Sequence, residues 1–526
     1  MREDRYLYSG ICFLVIILVT VPYLYAYFAA GQEYIFGGFL LNPLDGNSYL
    51  TKMYQGWQGH WSFQLIYNAN PGDGAYLFIF YVLLGNLARL FSMPLILMFH
   101  LVRLGGTLIL LYELLQFMVV QFVEANSRRL AFALAALGSG LGWAAILFGR
   151  LSSDFWVAET YPFLSCYTNP HFTFSLAIMI WLLIPKISDI AYTRKREIME
   201  IIAACLLSIM SPFGIVIIGM IEVGLILWDC IIGHYKPLGQ LLSEHEEDMY
   251  GLVRLLLGGG PMLAYYFWVV KTNPVFAGWN IQNITHAPPV WDLVISLSPA
   301  LLIAMLGVWY VYRKKIAQGR AILLWVFLTF ALIYFPLNLQ RRFMMGLYIP
   351  LVVLAGYGAQ YITKSMRISF RALSLGLLLV SVPTNIIILL VAKSGVDSHS
   401  PEIYLTKGEN QALTWIENHT KSDSIILAAP GTSLFIPAHT GRRVYYGHPY
   451  ETVNAEKNKA IVERFFKGLY RPEDIEYFKD ADYVFWGPRE RNMAGLTIPK
   501  GMPIAYQNSD VIIYIWEYNY FMGGGE

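Results

Sequence analysis

The residues with types and spacing suited to chemistry gather in three polar stretches between apolar segments. In LLNPLDGNSYLTKMYQGWQGHW, Asp45-Gly46-Asn47-Ser48 is a turn and helix-start signal. Tyr49, Met53, Tyr54 and Trp57 then recur at helical spacing, as in a helix lying along a membrane interface. A carboxylate held at a lipid–water boundary can deprotonate an acceptor or hold a divalent cation. The plain alternative is that Asp45 caps that helix.

The second stretch, SSDFWVAETYPFLSCYTNPHFTF, places Asp154 and Glu159 just beyond a helix ending in GSGLGW, with His171 opening the next one. Three ionisable groups thus share one membrane face. Each also has an ordinary role open to it: a solvated carboxylate, a headgroup contact, a helix cap. The third stretch is Asn338-Leu339-Gln340-Arg341-Arg342, between two apolar segments. Paired arginines on an external face run against the positive-inside tendency, and their forked guanidinium donors suit a phosphate or pyrophosphate. Snorkelling to headgroups is the alternative, and the phosphate reading is preferred.

Within the apolar segments, Arg103, Glu113, Glu222 and Asp229 are costly unless paired or facing a cavity. Pairing between helices is the expected role, with His100 and Arg103 one turn apart on a shared face. Towards the C-terminus, Gly441 to His448 (GRRVYYGH) and Gly487-Pro488-Arg489-Glu490 combine aromatic and basic residues with turn glycines. They read first as turns on a solvated face.

The elements that must position these groups follow from composition. Of 526 residues, 56% are hydrophobic and only 14% charged, against about 25% charged in a soluble domain. Lipid is therefore the main solvent. The net charge of +2 is spread along the chain, which excludes a nucleic-acid partner. The four cysteines are scattered and form neither a disulfide framework nor a metal-ligand spacing.

About eleven transmembrane helices are expected, near 8–30, 94–122, 130–149, 170–187, 198–211, 213–233, 251–270, 292–312, 321–337, 344–362 and 372–392. The apolar segment 75–92 is left as re-entrant or interfacial. Arg128-Arg129, Arg194-Lys195-Arg196, Arg313-Lys314-Lys315, and Lys364, Arg367 and Arg371 then all share the N-terminal side, which is therefore cytoplasmic. The expected organisation is a transmembrane domain over 1–392, with external loops 31–74, 150–169 and 271–291, and an extracytoplasmic α/β domain over 393–526. In that tail NQALTWIENH and KNKAIVERFFKGL read as helices, SIILAAP and ADYVFWG as strands. No internal repeat is visible, which weighs against an inverted-repeat transporter.

This layout resembles the GT-C superfamily of polytopic glycosyltransferases, which includes oligosaccharyltransferase catalytic subunits, protein O-mannosyltransferases and aminoarabinose transferases. The likeness lies in a first helix leading to a long acidic loop around Asp45 and a second acidic loop with Asp154 and Glu159. The segment AYLFIFYVLLGNLARL resembles the apolar end of the family's first loop, and many members finish with an external soluble domain. NPHF, LQRRFMMGLYIPL and HTGRRVYYGHPYET also resemble phrases of bacterial membrane proteins of this type. No WWD-type motif is present, and Asp154 and Glu159 stand five apart where a compact DxD would be expected.

The resemblance implies inverting transfer of a sugar from a polyprenyl-phosphate carrier to an acceptor (glycan, lipid or protein) at the extracytoplasmic face of a bacterial inner membrane. Catalysis would fall to Asp45 as base, with Asp154 and Glu159 orienting the acceptor. Arg341, Arg342 and His171 would bind the carrier phosphate. A divalent cation, Mg or Mn, would sit on Asp45, Asp154 and Glu159 if one is used. The rival classes are a transporter or flippase of lipid-linked sugars and a non-catalytic envelope-assembly protein. A transporter would place its polar groups near the midplane, and a scaffold would tolerate loss of Asp45.

Overall fold

The computed structural model describes residues 4–188, 193–232, 246–493, 495–498 and 500–522. The chain forms two compact units, each assembled from distant segments: 1–22, 100–266 and 285–392 in the first, and 23–99, 267–284 and 393–526 in the second.

Among the described residues, five helices are long and apolar enough to cross a bilayer: Asp4–Ala29, Leu95–Gln121, Pro170–Ile187, Glu246–Thr272 and Phe370–Asp397. The bent pair Val290–Leu297 and Ala300–Lys314 makes a sixth if taken as one span. Pro212–Trp228 and Gly319–Ile333 are shorter apolar helices. The expected span 130–149 is not one helix. Helix Ala125–Leu137 stops at Gly138, and a five-residue helix, Gly142–Ile146, follows. The reason is Asp154, whose Oδ2 accepts from the backbone N–H of Gly140 and of Gly142 and so takes donors that a continuous helix would use internally. The side chain of Asp229 lies outside the described residues.

In the first unit the tightest helix pairing is between Ala300–Lys314 and Tyr348–Met366. It depends on glycine at both contact points. A Cβ on Gly307 would stand 1.8 Å from the Leu354 carbonyl oxygen, and one on Gly358 2.2 Å from that of Ile303. Close backbone approach through small residues is how helices associate where no hydrophobic driving force separates helix from lipid. Bare helix faces are apolar, as at Phe13, Leu108, Leu257, Leu375 and Leu379, a surface suited to lipid.

Of the charges singled out inside this unit, Arg103 and Glu222 have partners. Arg103 is 1% exposed. Its guanidinium donates to the carbonyls of Val19 (2.9 Å) and Cys166 (2.8 Å) and to His100 Nδ1 at 3.2 Å. Lys186 stands 3.6 Å from Glu222 and 3.5 Å from Asp248, and Arg254 binds Glu200 and Glu247 at 2.7 and 2.6 Å.

The second unit joins the tail to the first loop. Strand Tyr34–Phe36 from the first loop pairs antiparallel with Tyr404–Thr406. Residues 31–74 therefore belong to the same compact body as 393–526. The body's main sheet has five strands in the order Arg443–Val444, Ile425–Leu427, Tyr483–Trp486, Ile512–Ile515, Ile504–Gln507. The first three are parallel and the last two run antiparallel to their neighbours. Apolar clusters cover both faces, one around Phe465, Phe478 and Val484, the other around Leu413, Ile426 and Phe485. The parallel strands are apolar on both sides because both sides are covered.

Helix Pro43–Trp57 is not an interfacial helix. Gly46 to Ser48 and Leu50 to Gly56 are buried, packed on Ile79–Leu90 and Phe435–Thr440. Gly56 and Gly85 let the first two of these helices touch by backbone, since a Cβ on Gly85 would lie 1.8 Å from the Met53 carbonyl oxygen. Helix Ile79–Leu90 has 12 residues, about 18 Å of rise against about 30 Å of hydrocarbon. A straight crossing is beyond its reach, in keeping with the re-entrant reading of 75–92.

Candidate active site

In the first unit the second loop folds against the paired arginines. Glu159 is 4% exposed. It meets Arg342 Nη1 at 3.4 Å through Oε1, and its carbonyl accepts from the N–H of Gly346. The Arg341 guanidinium lies over the Trp156 ring, 4.7 Å from its centroid, and its backbone N–H donates to the Thr285 carbonyl. Glu159 and the arginine pair are thus neighbours in the first unit.

Asp154 faces elsewhere. Fully buried, it accepts from Ser152 Oγ at 2.6 Å and from the two glycine amides at 3.0 and 3.1 Å. Burial pushes its carboxyl above the ordinary carboxylate range, and these hydrogen bonds pull it back. Its carboxylate is spent on shaping the loop. Asp292 repeats the device next door, accepting from Ser153 N and Ser153 Oγ, both at 2.8 Å. His171 occupies the first turn of helix Pro170–Leu183, its ring 4.0 Å from that of Phe172.

In the second unit Asp45 sits in the first turn of helix Pro43–Trp57, 37% exposed at the side chain. Asn42, in a left-handed conformation at the N-cap, accepts from Asp45 N through Oδ1 and donates from Nδ2 to Asp45 Oδ2 at 2.6 Å. The cap of this helix is therefore Asn42, which relieves Asp45 of that task. Opposite Oδ1 stands His448 Nε2, at 3.6 Å.

The segment carrying His448 is tied down by a run of hydrogen bonds. His448 Nδ1 accepts from the N–H of Tyr450 and of Glu451, and Thr452 Oγ1 accepts from Gly447 N and His448 N while donating to the Tyr67 carbonyl. Glu451 reaches back to the same helix as Asp45. Its carboxylate pairs with Lys52, which is wholly buried, and accepts from Ser48 Oγ at 2.5 Å. The Lys52 ammonium is ringed by Phe78 and Phe63, at 4.5 and 5.1 Å.

Sequence reasoning missed the partners of Asp45 and its helix. His448 lay in a segment read as turn chemistry, and Lys52 and Glu451 were not singled out. The one signal was local: a lysine inside an otherwise apolar helical stripe needs a partner. As for a cation, among the described residues no three of His, Cys, Asp and Glu come together as a metal group. Asp154 has given its oxygens to amides and a hydroxyl.

The fold is that of the GT-C membrane glycosyltransferases. The oligosaccharyltransferase of Archaeoglobus fulgidus in its apo form superposes with a TM-score of 0.57 at 12% identity, over 92% of this chain and 70% of that one. The same protein tethered to an acceptor peptide containing the NVT sequon gives 0.55 at 12% identity, over 92% and 69%. ArnT from Cupriavidus metallidurans bound to undecaprenyl phosphate overlaps over 95% of this chain and 97% of that one, at 11% identity and a TM-score of 0.48. No family model and no curated protein matches the sequence.

Proposed function

We propose that this chain is an integral membrane glycosyltransferase that moves a sugar from a polyprenyl-phosphate carrier to an acceptor at the extracytoplasmic face, with inversion. The single observation that carries the chemistry is the Asp45 carboxylate. It is part-exposed, relieved of capping by Asn42, and fixed at the start of a buried helix. The likeness in fold to an oligosaccharyltransferase supports the reaction class.

In this reading Asp45 takes the proton from the acceptor hydroxyl as its oxygen bonds to the anomeric carbon. The bond from that carbon to the carrier phosphate breaks, and the electron pair leaves with polyprenyl phosphate. Arg341, flattened on Trp156, and Arg342, already sharing Glu159, neutralise that leaving phosphate. His171 would join them from its helix start. Asp154 shapes the loop that presents Glu159, and Glu159 sets the position of Arg342. On this reading the N-terminus lies in the cytoplasm and the tail outside, in a bacterial inner membrane, as the basic residues flanking the apolar segments favour.

The test is lipid analysis of cells lacking the chain. Their extracts should accumulate one polyprenyl-phosphate sugar that the wild-type chain consumes. Asp45→Asn should fail to consume it, with transfer slowed by about 10²–10⁴-fold, while still binding it. An active Asp45→Asn protein removes the base, and the absence of any accumulating carrier lipid removes the reaction.

A further inference from the structure

We propose that His448 is the positioning residue for the catalytic carboxylate, so that the C-terminal segment GHPYET completes the active site begun by Asp45. This inference rests on the reading of Asp45 as the base.

Two backbone N–H groups, from Tyr450 and Glu451, donate to His448 Nδ1 at 3.1 and 3.2 Å. That nitrogen must present its lone pair, so the ring proton is on Nε2. Nε2 is enclosed, on a side chain only 2% exposed, and has no hydrogen-bond partner among the described residues. An enclosed N–H without a partner is costly, and the atom it faces is Asp45 Oδ1 at 3.6 Å. That gap exceeds an ordinary N–H···O bond by about 0.7 Å, a closure that catalytic hydrogen bonds commonly make when substrate binds. Asp45 would then take Asn42 on one oxygen and His448 on the other, which fixes the plane of the carboxylate.

The surroundings hold the histidine to this one task. Tyr67 and Tyr450 flank the ring at 5.8 and 6.1 Å between centroids, and Thr452 ties the backbone on its other side. The nearby charges, Glu451 and Lys52, are paired with each other. A proton on Nδ1 would displace both amide donors. His448 therefore does not relay the proton; it aims the group that accepts it.

The experiment uses the full-length chain expressed in cells that lack it. In their permeabilised membranes, consumption of the accumulated carrier lipid is followed by mass spectrometry. His448→Asn can still accept the Tyr450 and Glu451 amides but cannot reach Asp45. His448→Gln extends an amide donor to the position of Nε2. The Asn variant should lose about 10–100-fold in kcat, the value of one hydrogen bond to a charged group, with KM for the carrier unchanged. The Gln variant should recover at least about tenfold of that loss. Wild-type kcat in His448→Asn, a loss confined to KM, or no recovery in His448→Gln overturns the role of His448 while leaving the transferase reading intact. An active Asp45→Asn protein overturns the base itself, and that outcome is read independently of the histidine variants.

Discussion

Lys52 and Glu451 form an ion pair that joins two segments 399 residues apart in sequence, and its removal can be worked through quantitatively. Lys52 has no exposed surface, and its ammonium is enclosed by Phe63, Phe78 and Tyr49. Glu451→Gln leaves that ammonium facing a neutral amide and Ser48 alone. Breaking one side of a buried pair costs about 3–5 kcal/mol, because the surviving charge stays buried. In a unit of this size one kcal/mol moves Tm by about 2–4 °C, so the melting point of the second unit should fall by about 6–20 °C. Lys52→Met should fall comparably. The double variant Lys52→Met with Glu451→Leu removes both charges together and should return to within about 1.5 kcal/mol of wild type. The assay is thermal unfolding of the purified chain in nanodiscs, followed by intrinsic fluorescence. Single variants that melt with wild type, or a double variant whose loss equals the sum of the singles, would refute the claim that this pair staples the GHPYET segment to the Asp45 helix.

Two further outcomes are expected. Arg341→Ala with Arg342→Ala should weaken binding of the carrier lipid by about 10–100-fold, as the loss of charge-assisted bonds to a phosphate requires; unchanged affinity in a flotation assay would withdraw the phosphate role. His439 sits in helix Phe435–Thr440 with Nε2 enclosed, and burial pushes its pKa down to about 4. Below about pH 6.5 the unfolded chain takes a proton that the folded chain refuses, so stability must fall as pH drops from about 6.5 to 4, by about 3 kcal/mol in all. His439→Phe should flatten that part of the profile. A stability–pH curve that keeps the same slope in the variant would show that another group is responsible.

Much of the fold was legible because hydropathy and periodicity are local. The deficit of charge fixed lipid as the solvent, and the long apolar helices fall where the apolar runs stand. NQALTWIENH lies within helix Lys407–His419, and KNKAIVERFFKGL forms most of helix Ala455–Phe466, which ends before its last three residues. SIILAAP and ADYVFWG supply the strands Ile425–Leu427 and Tyr483–Trp486. The ion pair between Glu159 and Arg342 had no such local signal, since the two residues are far apart in sequence.

Other features had no local signature. That the span 130–149 breaks depends on Asp154 claiming two amides, a competition between side chain and backbone that hydropathy does not record. The tail is not a separate body, because strand Tyr34–Phe36 from the first loop pairs with Tyr404–Thr406 in a small sheet of its own. Asp45 was visible in the sequence as a carboxylate at a helix start. The proposal that it is a base rests on Asn42 taking the cap and on a histidine that arrives from the far end of the chain. Residue type and spacing thus determined the solvent, the elements and the candidate carboxylates by themselves. Only the tertiary structure shows that Asp154 is bound by backbone amides while Asp45 faces His448, because those contacts join segments that the sequence keeps apart.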